Sequence, residues 1–297
     1  MRKVTPMKTP SMMKTTLLTA ITMVAFAANS MLARMALGSG AADPAGFTVV
    51  RLVCGAVTLW ALVKITHRGE ISSRPGTWRS GWWLFLYAAA FSFAYVSLPT
   101  GTGALILFAA VQATMIVGGL HQGERPPLLQ WVGLAVAMGG LVLLVAPGVT
   151  APSPVGSVLM ATAGVAWGLY SMRGRGASSP AAETAGNFIR SVPYAAALAI
   201  LFLPSVSVSP SGLLLAAASG SLTSGLGYVL WYVALRGLTT IQASIVQLSV
   251  PVLAAIGGVI VLSEDFTARM IVSAAFILGG VAGAIVSGGV RTAATKH

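Results

Sequence analysis

The chain has 297 residues, of which 56% are hydrophobic and only 8% charged, against roughly 25% charged in soluble domains. A chain this apolar cannot keep its surface in water, so lipid is the solvent for much of it. Its 18 Lys and Arg outnumber 6 Asp and Glu, but the cations sit between apolar blocks and form no nucleic-acid patch, and the lone Cys54 excludes an intrachain disulfide and a multi-cysteine metal site.

The N-terminus reads "MRKVTPMKTPSMMK" before an apolar run, which mimics a secretory leader. The run from Thr15 to Leu37 is long enough to cross ~30 Å of hydrocarbon, and it reads as a retained first span. Apolar runs of this kind recur at 14–37, 45–65, 77–96, 101–120, 127–146, 155–173, 182–203, 211–235, 241–261 and 268–288. In lipid each must satisfy its own backbone hydrogen bonds, so helix is the expected state. The predicted fold is all-α integral membrane: ten transmembrane helices as two inverted five-helix repeats around a central cavity. Its parts are a cytoplasmic tail (1–13), a first repeat (14–146), a periplasmic linker (147–154), a second repeat (155–288) and a cytoplasmic tail (289–297).

Charge sets the direction. With both termini in the cytoplasm, Arg34, Arg51 and Arg190 fall inside spans and Arg269 alone falls outside. The remaining Lys and Arg all fall on the inner side, as the positive-inside rule requires.

The repeat is visible at an offset of 140. Glu124 then lies on Glu264, and Gly139-Gly140 in "WVGLAVAMGGLVLL" on Gly279-Gly280 in "IVSAAFILGGVAGA". "FAANSMLAR" (26–34) matches "VAWGLYSMR" (165–173), "PAGFTVVR" (44–51) resembles "PAAETAGNFIR" (180–190), and "FAYVSL" (93–98) resembles "LWYVAL" (230–235). Five spans per half is an odd number, so the second half crosses in the opposite sense, as in many secondary transporters. Glu124 and Glu264 precede helix starts and are expected to meet unpaired N–H groups there.

Within the spans, Tyr87, Phe91 and Tyr95 are four apart and share a helix face, as do Tyr228 and Tyr232. Two aromatic stripes facing a cavity would suit a flat, partly apolar substrate. Gln112, Gln242 and Ser244 offer hydrogen bonds, and Asn29, Trp167 and Tyr170 fall at matching places in spans one and six. Pro251 frees the carbonyl of Gln247 and marks a hinge. Arg51 and Arg190 match across the repeat, which suits either bonding of helix-end carbonyls or capture of an anion.

Two five-span halves, each closing with a Gly-rich helix after a "G-E" or "S-E-D" corner, resemble the EamA family of the drug/metabolite transporter superfamily. Trp167-Gly168 and Pro251 sit where that family tends to have them. Within it the chain looks most like the YddG-type bacterial aromatic amino acid exporters. The resemblance implies an exporter of amino acids or similar amphipathic metabolites in the bacterial inner membrane. The chain departs from the small multidrug relatives, which carry a membrane-embedded Glu where this one has Asn29.

No carboxylate or histidine lies mid-span and no Walker-type loop is present. That leaves alternating access driven by the substrate gradient, as facilitated diffusion or exchange. No catalytic cluster, metal set or cofactor motif is expected. The expected partners are a small amino acid-like substrate and the bilayer, and the oligomeric state stays open, a monomer being sufficient. The alternative is an antiporter of anionic metabolites such as sugar phosphates or nucleotide sugars, using Arg51 and Arg190.

Overall fold

A computed structural model describes residues 11–66, 75–98, 100–145, 153–175, 177–262 and 267–294. The Glu264-Asp265 corner, the 67–74 loop and most of the predicted tails and linker lie outside these residues. Among the described residues the regular elements are helices: α1 (Met12–Gly38), α2 (Pro44–Thr66), α3 (Trp78–Ala94), α4 (Thr100–His121), α5 (Leu128–Val145), α6 (Pro154–Gly174), α7 (Pro180–Leu201), α8 (Pro210–Ala218), α9 (Gly227–Ala234), α10 (Thr240–Val246), α11 (Ser249–Leu262) and α12 (Ala268–Ala294). A π-helical segment, Ser219–Leu226, joins α8 to α9, and Gln247-Leu248 separates α10 from α11.

Seven helical stretches are long and apolar enough to cross a membrane, and Leu128–Leu144 is a shorter apolar helix. The expected spans over α3 and α7 do not meet that standard. Helix α3 has 17 residues, and α7 carries Glu183, Asn187, Arg190 and Pro193 along its length. These two pack against each other, α3 also on α6 and α7 also on α2. Helix α12 continues to Ala294, past the expected end at 288.

The helix starts follow from short polar residues. Ser11, Thr77, Ser153 and Ser209 each accept a hydrogen bond from the backbone N–H three residues on, which satisfies one of the orphan donors of a first turn. Thr239 and Gln242 form a reciprocal capping box on α10. Asp43 caps α2 through Ala45 N–H (2.9 Å) and Gly46 N–H (3.0 Å). Its second oxygen accepts from Ser207 N–H at 2.7 Å, tying α2 to the approach of α8.

Close packing depends on missing side chains. Among the described residues, helices α5 and α12 make the most extensive pair. A Cβ on Gly133 would stand 2.5 Å from the Gly280 carbonyl oxygen, and one on Gly280 would stand 2.5 Å from the Gly133 oxygen. A Cβ on Gly140 would meet Ile277 at 2.9 Å, while one on Gly280 would meet Ala137 at 2.7 Å. The two contacts are related by the same offset of 140 that aligns the halves of the sequence. Backbones this close gain dispersion that lipid chains cannot supply.

One end of the bundle is basic and knotted by polar contacts. Arg173, closing α6, donates to Ser80 Oγ of α3 at 2.9 Å. Arg236, after α9, donates to the Ala177 carbonyl at 2.6 Å. Arg190 donates to the carbonyl of Pro75, in the segment before α3 (2.7 Å), and to that of Gly186 one turn back in α7 (3.0 Å). Glu124 departs from expectation. It caps not the following α5 but the distant α10, accepting from Thr240 N–H (2.5 Å) and Ile241 N–H (2.9 Å), and it pairs with Arg175 at 3.0 Å. The Gly123 turn before it has φ +83°, which swings the carboxylate away from α5 and back over α10. Burial alone pushes the Glu124 carboxyl up, but the hydrogen bonds from Ile241, Thr240 and Arg175 outweigh it and hold the group below the ordinary carboxylate value.

Two predictions follow from this packing. Gly280→Ala destabilises the detergent-solubilised protein by about 1–3 kcal/mol because backbone must move, whereas Gly279→Ala, with nothing within 4 Å, is neutral or stabilising; thermal unfolding of both checks the contrast. Glu124→Gln costs about 1.5–3 kcal/mol, the worth of hydrogen bonds to a charged group. A carboxyl whose folded pKa is depressed stabilises the fold above its unfolded pKa, and that contribution is lost as pH falls through the folded value. The stability gap between wild type and Glu124→Gln therefore closes in acid, below the ordinary Glu value of 4.5, which unfolding measured across pH will read.

Candidate functional site: an aromatic void around Trp167

Six helices contribute to one void inside the bundle. Helix α1 supplies Phe26, Asn29 and Ser30, α3 supplies Tyr87 and Phe91, and α4 supplies Leu107, Phe108 and Val111. Trp167 comes from α6, Tyr228 from α9, and Gln247 and Val250 from the break at the start of α11. The space between them is about 30 Å³, room for about one water molecule. A larger cavity of about 260 Å³ lies between α2 and α7 at the basic end, lined by Trp60, Lys64 and Arg190 among others. The smaller void is the less open of the two and is lined by buried amide and tyrosine side chains from several helices, so it is the candidate site.

Trp167 stands at the centre. Its ring centroid is 4.7 Å from Tyr228, 5.0 Å from Tyr87 and 5.2 Å from Phe26, the last edge-on at 85°. Its indole N–H donates to Gln247 Oε1 at 2.6 Å, and Gln247 Nε2 donates to the Ala243 carbonyl at 2.9 Å. The ring orientation is thus fixed by a buried amide that is itself fixed by the last turn of α10.

Pro251 sits in the first turn of α11, where a missing N–H is tolerated. The interruption falls earlier, at Gln247-Leu248, and the Gln247 carbonyl accepts from Val250 N–H at 3.1 Å. The expectation that this carbonyl is left free for the cavity is corrected: the side chain of Gln247, not its carbonyl, faces the void.

The π-helical segment is explained by Asn29. Its Oδ1 accepts from Ser219 Oγ (2.7 Å), Thr223 Oγ1 (3.1 Å) and Ser224 Oγ (3.3 Å). One wide turn brings all three hydroxyls to a single acceptor. Ser224 Oγ in turn accepts from Arg51 Nε at 2.9 Å. Arg51 also donates through Nη2 to Tyr228 OH at 2.8 Å, with Tyr87 OH at 3.5 Å. Its guanidinium carbon lies 5.2 Å from the Tyr87 ring centre and 5.9 Å from that of Phe91. Arg51 is 1% exposed, and its Nη1 has no partner.

Of the residues singled out in the sequence, Asn29, Tyr87, Phe91, Trp167 and Tyr228 line the void together. The others are engaged elsewhere. Tyr95 caps the end of α3, edge-on to Phe91 at 4.8 Å. Gln112 donates to the Ser244 carbonyl at 2.7 Å and so holds α4 against α10, while Ser244 Oγ bonds the Ile241 carbonyl within α10. Gln242 is spent in its capping box. Tyr170 and Tyr232 stack at 5.3 Å toward the basic end, and Trp231 Nε1 donates to Ser171 Oγ at 3.1 Å. Gly174 underlies the Tyr232 ring so closely that any side chain there would collide with it. These side chains pack tightly together toward the basic end. Arg51 and Arg190 do not share a role, because α2 presents Arg51 to α9 while Arg190 faces the segment before α3.

Phe26, Ser30 and Phe108 were not assigned to the site from sequence. Gln247 was visible there as one of the hydrogen-bonding residues of its span, beside Gln242 and Ser244, but the phenylalanines carried no signal. Among the described residues no group of three His, Cys, Asp or Glu is placed to hold a metal ion.

Comparison with known proteins agrees with this architecture. Residues 154–286 match the EamA-like transporter family. Protein PA1977 of Pseudomonas aeruginosa, described as uncharacterized, is 48% identical over 269 residues, covering 91% of this chain and 93% of that protein. A solved crystal structure has the same fold, with a TM-score of 0.79 at 21% identity over 93% of this chain and 98% of the other. With a near full-length relative at this identity and a family match across its second half, the chain belongs to the EamA-like transporter family, a family of multi-pass membrane proteins.

Proposed function

We propose that the protein exports amino acids with aromatic side chains, or similar amphipathic metabolites, across the bacterial cytoplasmic membrane by alternating access. The observation that carries this reading is the void around Trp167, where six aromatic side chains, Trp167 included, and a fixed amide converge. Stacking and edge contacts with Tyr87, Trp167 and Tyr228 suit a flat ring.

In this reading the chain is two inverted five-helix repeats, 14–146 and 155–288, with the basic end and both termini in the cytoplasm. The reciprocal contacts of Gly140 and Gly280 support the repeat. So do paired packings: α2 on α7, α5 on α12, and α3 on α6 matched by α1 on α9. The plug of Tyr170, Tyr232 and Trp231 then closes the cytoplasmic side. A void too small for a substrate fits a closed stage of the cycle, and the Gln247-Leu248 break supplies a place for α10 and α11 to move apart.

Transport runs on the substrate gradient, as uniport or exchange. The described carboxylates Asp43, Glu124 and Glu183 all bond backbone N–H groups near helix ends, away from the void. The alternative, exchange of sugar phosphates, relied on Arg51 and Arg190 together. Arg190 is committed to the carbonyls of Pro75 and Gly186, which leaves one cation for a dianionic group.

Proteoliposomes test the proposal. Phenylalanine, tyrosine and tryptophan enter faster than branched or small neutral amino acids, and an imposed pH gradient leaves the initial rate unchanged. Trp167→Ala lowers kcat/KM for aromatic substrates roughly tenfold, as the loss of several ring contacts predicts, while Trp167→Phe retains most of it. Preferential uptake of sugar phosphates, or strong acceleration by a pH gradient, overturns it.

A further inference from the structure

Arg51 is a permanent cation one side chain behind the wall of the void, against Tyr87, Phe91 and Tyr228, and no described carboxylate pairs with it. The described carboxylates are engaged near helix ends: Asp43 on α2, Glu124 on α10, and Glu183 with Gly76 N–H at 3.0 Å. Arg51 instead meets hydroxyls and ring faces, with Nη1 left bare. Hydroxyls and π-faces offset only part of the cost of burying a charge. Three of the groups around it, Tyr87, Phe91 and Tyr228, also line the void.

The acceptors of the void are in the opposite condition. Asn29 Oδ1 is already within hydrogen-bond distance of three hydroxyls, of which Thr223 is shared with the Ser219 carbonyl, and Gln247 Oε1 receives the Trp167 N–H. No carboxylate is among the residues that line the void, and the cation just behind its tyrosines has a donor to spare.

We infer that Arg51, with the hydroxyls of Tyr87 and Tyr228, is the recognition group for a single carboxylate on the transported molecule, and that the substrate's amine has no dedicated partner. Tyr228, accepting from Arg51, keeps its own O–H as a donor, so a carboxylate gains charge-assisted bonds from Nη1 and a polarised phenol. One cation matches a monoanion. The inference rests on the void being the substrate path and narrows what that path takes: aromatic monocarboxylates, with or without an α-amino group. Arg190 is excluded from this role by its carbonyl bonds.

The experiment uses ligand-induced thermal stabilisation of the purified full chain, which reads occupancy without transport. The probes are phenylalanine, 3-phenylpropionate, phenethylamine and phenyl phosphate, each titrated against wild type, Arg51→Gln and Arg51→Lys. Expected are stabilisation by phenylalanine and 3-phenylpropionate at comparable concentrations, none by phenethylamine, and a weaker effect of phenyl phosphate. In Arg51→Gln, affinity for 3-phenylpropionate drops about thirtyfold or more, as loss of a buried charge partner implies, and Arg51→Lys restores part of it. Should Arg51→Gln not fold, the wild-type ligand series and Arg51→Lys decide alone.

Phenethylamine binding as well as phenylalanine, or carboxylate affinity unchanged in a folded Arg51→Gln, overturns the inference while leaving aromatic transport standing. Phenyl phosphate binding more tightly than the carboxylate, in an Arg51-dependent manner, replaces the carboxylate with a phosphate and overturns it also. Absence of binding by every aromatic probe removes both this inference and the proposed function beneath it.

Discussion

A polar group inside this bundle is costly unless it finds a partner in the bundle, because neither lipid nor bulk water will supply one. That constraint organises the side chains around the void. Asn29 gathers three hydroxyls of the π-helical segment, Ser224 passes the chain of contacts to Arg51, and Arg51 holds Tyr228. Trp167 is set by Gln247, and Gln247 by Ala243. Together these contacts fix α1, α2, α6, α9 and α10 around one space. The same rule explains the ends, where Asp43, Glu124 and Glu183 each take backbone N–H groups.

The helices were legible because their boundaries are written in short polar side chains and prolines, and because twenty-residue apolar runs have one solution in lipid. The glycine pairs were legible as a repeat, and their reciprocal contacts between α5 and α12 follow that register. What the sequence could not convey was which distant helix a side chain meets. Glu124 reads locally as a cap for α5, yet a Gly123 turn carries it to α10. Arg51 and Arg190 align, yet one faces tyrosines and the other faces carbonyls.

The site was half legible for a related reason. Tyr87, Phe91 and Tyr228 showed themselves by spacing, and Trp167 and Asn29 by being amphipathic in apolar runs. Helical spacing reports a shared face but not depth. Tyr232 shares a face with Tyr228 and lies one turn nearer the basic end, packed on Tyr170 and not in the void. Phe26 and Phe108 are indistinguishable in sequence from any lipid-facing phenylalanine. The π-helical turn had a trace, the small polar run "SGSLTSG", but its cause lies across the bundle at Asn29.

The central claim is that this void opens in turn to either side of the membrane. Ser30 lines it, and Cys54 is the only cysteine to remove. In a Cys54→Ser, Ser30→Cys protein in oriented vesicles, a membrane-impermeant thiol reagent is added to one side at a time. The account predicts labelling from each side, slowed by saturating phenylalanine on both. Labelling from one side alone, at a rate that phenylalanine does not change, would contradict it.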